Sequence, residues 1–278
     1  MLLTLSCGLS LALAAEGPIP YTTAGGRALT LDVWRPEGPG PRAGVLLIHG
    51  GGWKYGDLYE GLAGQAEAAA AAGLVVVSPN YRLSTEAPWP AQREDVACAL
   101  AWTRAHAGEL GLDRDRIAAV GHSAGGQLAL MLAEAPELGV AERCGAGGLG
   151  APGAVAAAVS LAGPSDMALF YAETAWWGRK MARELLKLPR TAGADRVAAA
   201  LRVASPLTYV DAVGPPVLQV VGGADPLVPG AIAASFDRAL RAAGRASEIV
   251  TVPEAGHNEV NRVELWLPWA LRQLGVSG

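Results

Sequence analysis

Lysine is nearly missing: the 278-residue chain carries three, Lys54, Lys180 and Lys187, against nineteen arginines. In a chain this rich in Ala and Gly, the imbalance reads as a coding bias without functional meaning. Charge of either sign is sparse, at 17% of residues with a formal net charge of -4. No positive excess offers a face to phosphates, so a nucleic-acid partner is not expected. Hydrophobic residues, at 51%, describe a globular chain long enough to bury a substantial core. Histidine is limited to four residues, which narrows any choice of a neutral-pH base.

A long hydrophobic run is lacking as well. Residues 1–15, MLLTLSCGLSLALAA, are apolar but too short to cross a bilayer as a helix, so no stable membrane span is expected. Followed by EGPIP, with Ala12 and Ala14 in a small-x-small pattern, the run fits a signal peptide and a secreted or periplasmic protein. The other reading is an N-terminal helix lying on the domain. No Lys or Arg precedes the run, which points to a true start further upstream. Of the three cysteines, Cys7 follows TLS, a poor match to a lipid-attachment site. Cys98 and Cys144 either pair, as an exported protein allows, or stay independent buried thiols.

Short β-rich runs alternate with alanine-rich amphipathic segments, the pattern of a mostly parallel sheet with helices on both faces. Strands are expected near 29–34, 44–50, 74–79, 117–122, 155–161, 217–222 and 247–253. Helices are expected near 58–72, 91–107, 124–135, 230–243 and 259–274. One α/β domain over residues 16–278 accommodates all of them. Residues 165–205 separate two core strands by more than a crossover needs and carry aromatic and helical stretches, the character of an inserted lid.

The stretch AVGHSAGGQLAL, residues 119–130, sets Ser123 between Gly121 and Gly125, after a strand and before a helix. A sharp strand-to-helix turn that exposes a serine leaves no room for side chains two positions away, which is the physical content of G-x-S-x-G. Chance alone supplies about 0.2 such patterns in a chain of this composition, so context decides. Upstream, LLIHGGGW (46–53) runs a strand into three glycines, where backbone N–H groups can approach a substrate oxygen. A serine needs a base. His257, in PEAGHNEV, follows the last strand; His49 sits in the glycine run, His106 in a helix, and His122 beside Ser123 with its ring expected to turn away. Asp225, in VVGGADPLVP, lies just past a strand and gives the order Ser, Asp, His; Asp211 and Glu254 are less suitable acids.

Taken with HGGGWKYGD, SPNYRLSTEAPWPAQREDV, GHSAGG, SPLTYV, VVGGADPLVP and EAGHNEV, the chain resembles the esterase branch of the α/β-hydrolase superfamily over about residues 20–275. The hormone-sensitive-lipase-like and bacterial feruloyl-esterase-like families are nearest in pattern. The former usually carries Asp where this chain has His122, and an N-terminal cap for which a first strand near residue 29 leaves no room; this favours the feruloyl-esterase-like side. The resemblance implies an α/β-hydrolase fold and a serine carboxylesterase that needs no metal or organic cofactor. Its catalytic residues would be Ser123 as nucleophile, His257 as general base and acid, and Asp225 as orienting acid. The N–H groups of Gly51, Gly52 and Ala124 would form the oxyanion hole.

Trp53, Trp89, Trp176 and Trp177 are candidates to line the substrate pocket, with core or lid packing as the plainer role. The expected substrate is a small-molecule or polysaccharide-linked ester, of acetyl or feruloyl type, in preference to long-chain lipid. Two other readings stay open: an arylformamidase, which also uses an H-G-G-x-W run, and a catalytically silent α/β-hydrolase binding protein.

Overall fold

The computed structural model describes residues 15–56, 62–137, 144 and 153–277. The expected signal peptide, save Ala15, lies outside the described residues, as do residues 58–61 of the expected first helix.

Eight strands form one sheet. In chain order they are β1 (Glu16–Ala24), β2 (Arg27–Trp34), β3 (Arg42–Ile48), β4 (Val75–Pro79), β5 (Leu112–His122), β6 (Ala157–Leu161), β7 (Val217–Gly222) and β8 (Ser247–Val252). Their spatial order is β1-β2-β4-β3-β5-β6-β7-β8. The pairings β1–β2 and β2–β4 are antiparallel, and every pairing from β4 across to β8 is parallel.

Seven of these strands coincide with the apolar runs, within a few residues. The eighth, β1, was not expected: Pro18 and Pro20 withhold ladder donors, and its residues are mostly exposed or half-buried. Proline is tolerated there because β1 is an edge strand with one partner.

The central strands are apolar on both faces because helices cover both. In β3, Leu46 and Ile48 join one buried cluster with Val75, Val77 and Ala119. Val45 and Leu47 join the opposite one with Val76, Ala118 and Val120. The first layer is packed by α2 (Ala91–Ala105) and α4 (Ala124–Glu134), the second by α1 (Ala63–Ala71) and α9 (Leu267–Gln273). Two short or lateral helices, α3 (Ala107–Leu110) and α8 (Gly230–Ala242), complete the crossovers. The expected helix at 259–274 is shorter than its pattern: a 3₁₀ turn at Val263–Leu265 precedes α9, with Pro268 in the first helical turn.

Between β6 and β7 the chain forms α5 (Met167–Glu173), α6 (Trp176–Leu185) and α7 (Ala194–Val203). Asp166 caps α5, its Oδ1 accepting from the N–H groups of Ala168 and Leu169 at 3.1 and 3.0 Å. Cys98 of α2 and Cys144 form a disulfide with Cα atoms 5.3 Å apart, which decides between the two readings of that pair.

Candidate active site

Loops at the carboxyl ends of β3, β5, β7 and β8 converge, as expected for ligand sites in parallel α/β sheets. Ser123 is the turn between β5 and α4, with φ 54° and ψ -118°, a conformation costly for a side-chain-bearing residue. The residues two positions away on each side, Gly121 and Gly125, are glycine because a side chain would not fit. A Cβ on Gly121 would stand 2.3 Å from Gly125, and one on Gly125 would stand 2.2 Å from the carbonyl oxygen of Ile48. The Ser123 N–H donates to the Leu161 carbonyl at 2.7 Å, which ties the turn to β6.

The Ser123 Oγ lies 2.8 Å from Nε2 of His257, and Nδ1 of that ring lies 2.8 Å from Oδ2 of Asp225. A carboxylate only accepts, so Nδ1 carries the hydrogen, and Nε2 is left as the acceptor facing the serine hydroxyl. The other carboxylate oxygen of Asp225 accepts from the N–H groups of Leu227 and Val228 at 2.7 and 3.0 Å. Burial pushes the Asp225 carboxyl up. The hydrogen bonds from His257 and from these backbone groups outweigh burial and hold it below its ordinary value, so it stays ionised. The less suitable acids are elsewhere: Asp211 is exposed and accepts from the N–H of Val213, and Glu254 is also exposed.

His122 stays within the site, with its ring against His257. Its ring packs 4.9 Å from that of His257, and its Nε2 donates to the His257 carbonyl at 2.9 Å. Burial lowers its pKa to about 4, so the ring is neutral at ordinary pH and fixes the His257 backbone without adding a charge.

The glycine run departs from β3 after Ile48. Gly51 and Gly52 have positive φ, 103° and 60°, and the Gly51 carbonyl accepts from the N–H groups of Lys54 and Tyr55 at 3.1 and 2.9 Å. That bonding curls the loop so that Gly50, Gly51 and Gly52 line the same cavity as Ser123. Among the described residues no acceptor pairs with the N–H of Gly51 or Gly52. Ala124 is the first residue of α4, where helix N–H groups have no intrahelical acceptor. The loop is anchored on both sides. His49 stacks on Tyr81 with ring centroids 4.2 Å apart, and Tyr81 donates to the His49 carbonyl at 3.1 Å. The indole of Trp53 donates to Gln127 of α4 at 3.1 Å.

These groups open on a cavity of about 360 Å³. Two of the four candidate tryptophans line it. Trp53 forms part of the wall while otherwise buried, and Trp177 meets Phe170 edge to face at 6.4 Å. The other two do not. Trp89 packs against the core and donates to the Val203 carbonyl, and Trp176, one residue before Trp177, points off the opposite side of α6 and is 73% exposed. A helix rotates about 100° per residue, so adjacent tryptophans cannot share a wall. The sequence reading missed Phe170, Met181, Leu227, Val228, Asn258 and Asn261, which also line the cavity. The i, i+4 spacing of Trp177 and Met181 was the available signal for that wall. Among the described residues no cluster of three or more His, Cys, Asp or Glu is placed to hold a metal ion, and no helix is long and apolar enough to cross a membrane.

The sequence model of the BD-FAE family matches residues 31–240, three quarters of the chain. The chain belongs to the BD-FAE family. It is similar to Esterase LipQ of Mycobacterium tuberculosis, 35% identical over 254 residues that cover 88% of this chain and 57% of that protein. The chain thus spans little more than half the length of this curated relative. In structure it is similar to a truncated carbohydrate esterase from gut microbiota, with TM-score 0.79, 23% identity and coverage of 94% of this chain and 96% of the other. It is also similar to butyrate-bound Est2 of Thermogutta terrifontis, with TM-score 0.72, 24% identity and coverage of 95% and 91%. At these identities the structural likeness establishes the α/β-hydrolase fold of this BD-FAE member.

Proposed function

We propose that this BD-FAE family member is a serine carboxylesterase that works through an acyl-enzyme on esters of short-chain or aromatic acids, acetyl or feruloyl in type. The observation that carries the reading is the unbroken relay from Ser123 Oγ through His257 to Asp225, two contacts of 2.8 Å each, at the wall of the cavity. Ser123 attacks the ester carbonyl as its proton passes to Nε2 of His257. The imidazolium so formed is stabilised by Asp225 and returns the proton to the leaving alcohol; water then repeats the sequence and frees the acid. The N–H groups of Gly51, Gly52 and Ala124 receive the oxyanion, each well-aimed donor contributing about 3 kcal/mol to the transition state.

The small volume and the aromatic wall of Phe170 and Trp177 favour a compact or planar acyl group over a long chain. The helices α5 and α6, which supply that wall, would form the lid of a single domain. The Cys98–Cys144 disulfide supports export to an oxidising compartment, in line with the apolar run at residues 1–15. The esterases among the relatives support the reading of the reaction.

A panel of p-nitrophenyl and feruloyl esters of graded acyl size tests the reading, together with fluorophosphonate labelling. Acetate to butyrate, or ferulate, should turn over fastest, and Ser123→Ala should abolish both turnover and labelling. Labelling at no residue would favour a silent binding protein, and faster cleavage of N-formylkynurenine than of any ester would favour an arylformamidase.

A further inference from the structure

A second concavity, of about 1080 Å³, adjoins the catalytic cavity across α6. Trp177 and Met181 face the catalytic side, while Trp176, Arg179, Lys180 and Arg183 face the other, as a 3.6-residue repeat requires. Six cationic side chains line this cleft: Lys54, Arg179, Lys180, Arg183, Lys187 and Arg190. They include all three lysines of the chain. The only carboxylate lining it among the described residues is Glu184, which is shared by Lys54 at 2.9 Å and Lys180 at 3.8 Å. A protein of net charge -4 has gathered its scarce lysines and three arginines around one hollow, against their mutual repulsion.

Two aromatic rings accompany the charges. Tyr171 is held in place by Arg183, whose Nε donates to its hydroxyl at 2.8 Å, with the Arg179 guanidinium 6.0 Å from its ring centre. Trp176 stands 73% exposed at the same cleft. A solvent-facing indole among cations is the chemistry that binds a sugar ring by its C–H face and a carboxylate by charge-assisted hydrogen bonds.

We propose that this cleft binds an anionic carbohydrate, a sugar chain bearing carboxylates, whose ester-carrying unit reaches the catalytic cavity on the other side of α6. The carboxylates pair with Arg179, Lys180, Lys187 and Arg190 at the exposed rim, and one ring stacks on Trp176. A concave wall suits a chain better than it suits a flat anionic membrane, and a single exposed indole does not make the repeated stacking platform of a single-stranded nucleic acid. The proposal rests on the esterase reading only for the identity of the reaction; binding at the cleft stands apart from it.

The test is titration of the whole protein with an unesterified oligogalacturonide and, separately, with cellotetraose as the neutral control. Anionic vesicles of phosphatidylserine and a single-stranded oligonucleotide are run alongside. The expected result is binding of the oligogalacturonide that weakens with salt, at least about tenfold tighter than cellotetraose. The double variant Arg179→Glu, Lys180→Glu and the single variant Trp176→Ala should each lose about tenfold of that affinity. Both should keep the p-nitrophenyl acetate turnover and circular dichroism of the parent. Equal binding of neutral and anionic sugars, unchanged affinity in the variants, or tighter binding of the vesicles or the oligonucleotide would overturn the proposal. A protein that binds the oligogalacturonide but hydrolyses no ester would overturn the esterase reading and leave the cleft assignment standing.

Discussion

Met181 lies directly over Gly52: a Cβ built on that glycine would stand 2.1 Å from the Met181 terminal methyl. The proposed oxyanion loop and helix α6 therefore meet at one side chain, which also lines the catalytic cavity. Replacing Met181 with Ala deletes that contact and deepens the acyl side of the cavity. Each added methylene that finds apolar wall is worth about 1–3 kcal/mol, so kcat/KM for hexanoate relative to acetate should rise about tenfold or more. An unchanged acyl profile on a p-nitrophenyl ester series would remove Met181 from the pocket wall. Gly52→Ala should act in the opposite sense, lowering kcat on every ester, because the new methyl displaces Met181 and strains a residue at φ 60°.

Asp225 sets which nitrogen of His257 holds the hydrogen. In Asp225→Asn the amide can present N–H to Nδ1, which leaves Nε2–H facing Ser123 and unable to take its proton. The expected loss in kcat is about 10⁴-fold with KM little changed, the scale a wrong tautomer costs in a serine protease. The two backbone N–H groups of Leu227 and Val228 still have an oxygen to bond, so the melting temperature should move little. Steady-state kinetics on p-nitrophenyl acetate beside a thermal melt separate the two effects; a variant with near-parental kcat would show that Asp225 is not the orienting acid.

The relay was legible in the sequence because each member sits where an apolar strand stops, and strand ends are marked locally by glycine and proline. Ser123, Asp225 and His257 each follow such a run, and the α/β-hydrolase order joined them before any distance was known. The cavity wall was not legible for a physical reason. Phe170, Trp177 and Met181 belong to helices whose period gives a face but not the direction in which that face is docked. Trp176 and Trp177 were equal as sequence and are opposite in space. The three lysines show the same limit: spread over residues 54 to 187, they read as compositional scarcity until α6 and the glycine loop bring them to one hollow. The edge strand β1 was lost to its prolines and its half-exposed pattern.

The Cys98–Cys144 disulfide closes a loop of 46 residues. Cross-linking a loop of that size removes unfolded-state entropy equivalent to about 4 kcal/mol. Cys98 is buried in α2, within the cluster that backs β3 and β5, so its loss is felt beneath the site. Urea unfolding of the parent and of Cys98→Ala, Cys144→Ala should differ by about 2–4 kcal/mol, with the parent falling to the variant's level when reduced. Equal stability of oxidised parent and variant would show that the bridge does not constrain the unfolded chain.

His122 gives the fold a calculable sensitivity to acid. Its pKa is about 4 in the folded protein, because burial disfavours the charged ring, and its ordinary value is about 6.5. Between those limits the unfolded chain binds a proton that the folded chain refuses, so stability falls as pH falls through that window. Above about 6.5 both states are neutral and the group contributes no slope; below about 4 both are charged and the loss is complete. The full loss is about 3 kcal/mol, and most of it is reached by pH 4.5. His122→Gln removes the titration while its amide can still donate to the His257 carbonyl that His122 now holds. The difference in unfolding free energy between pH 7 and pH 4.5 should therefore be about 2–3 kcal/mol smaller in the variant than in the parent, whatever the offset between them at pH 7. Parallel stability curves for the two proteins over that range would mean that the His122 ring takes up its proton in the folded state as readily as in the unfolded one.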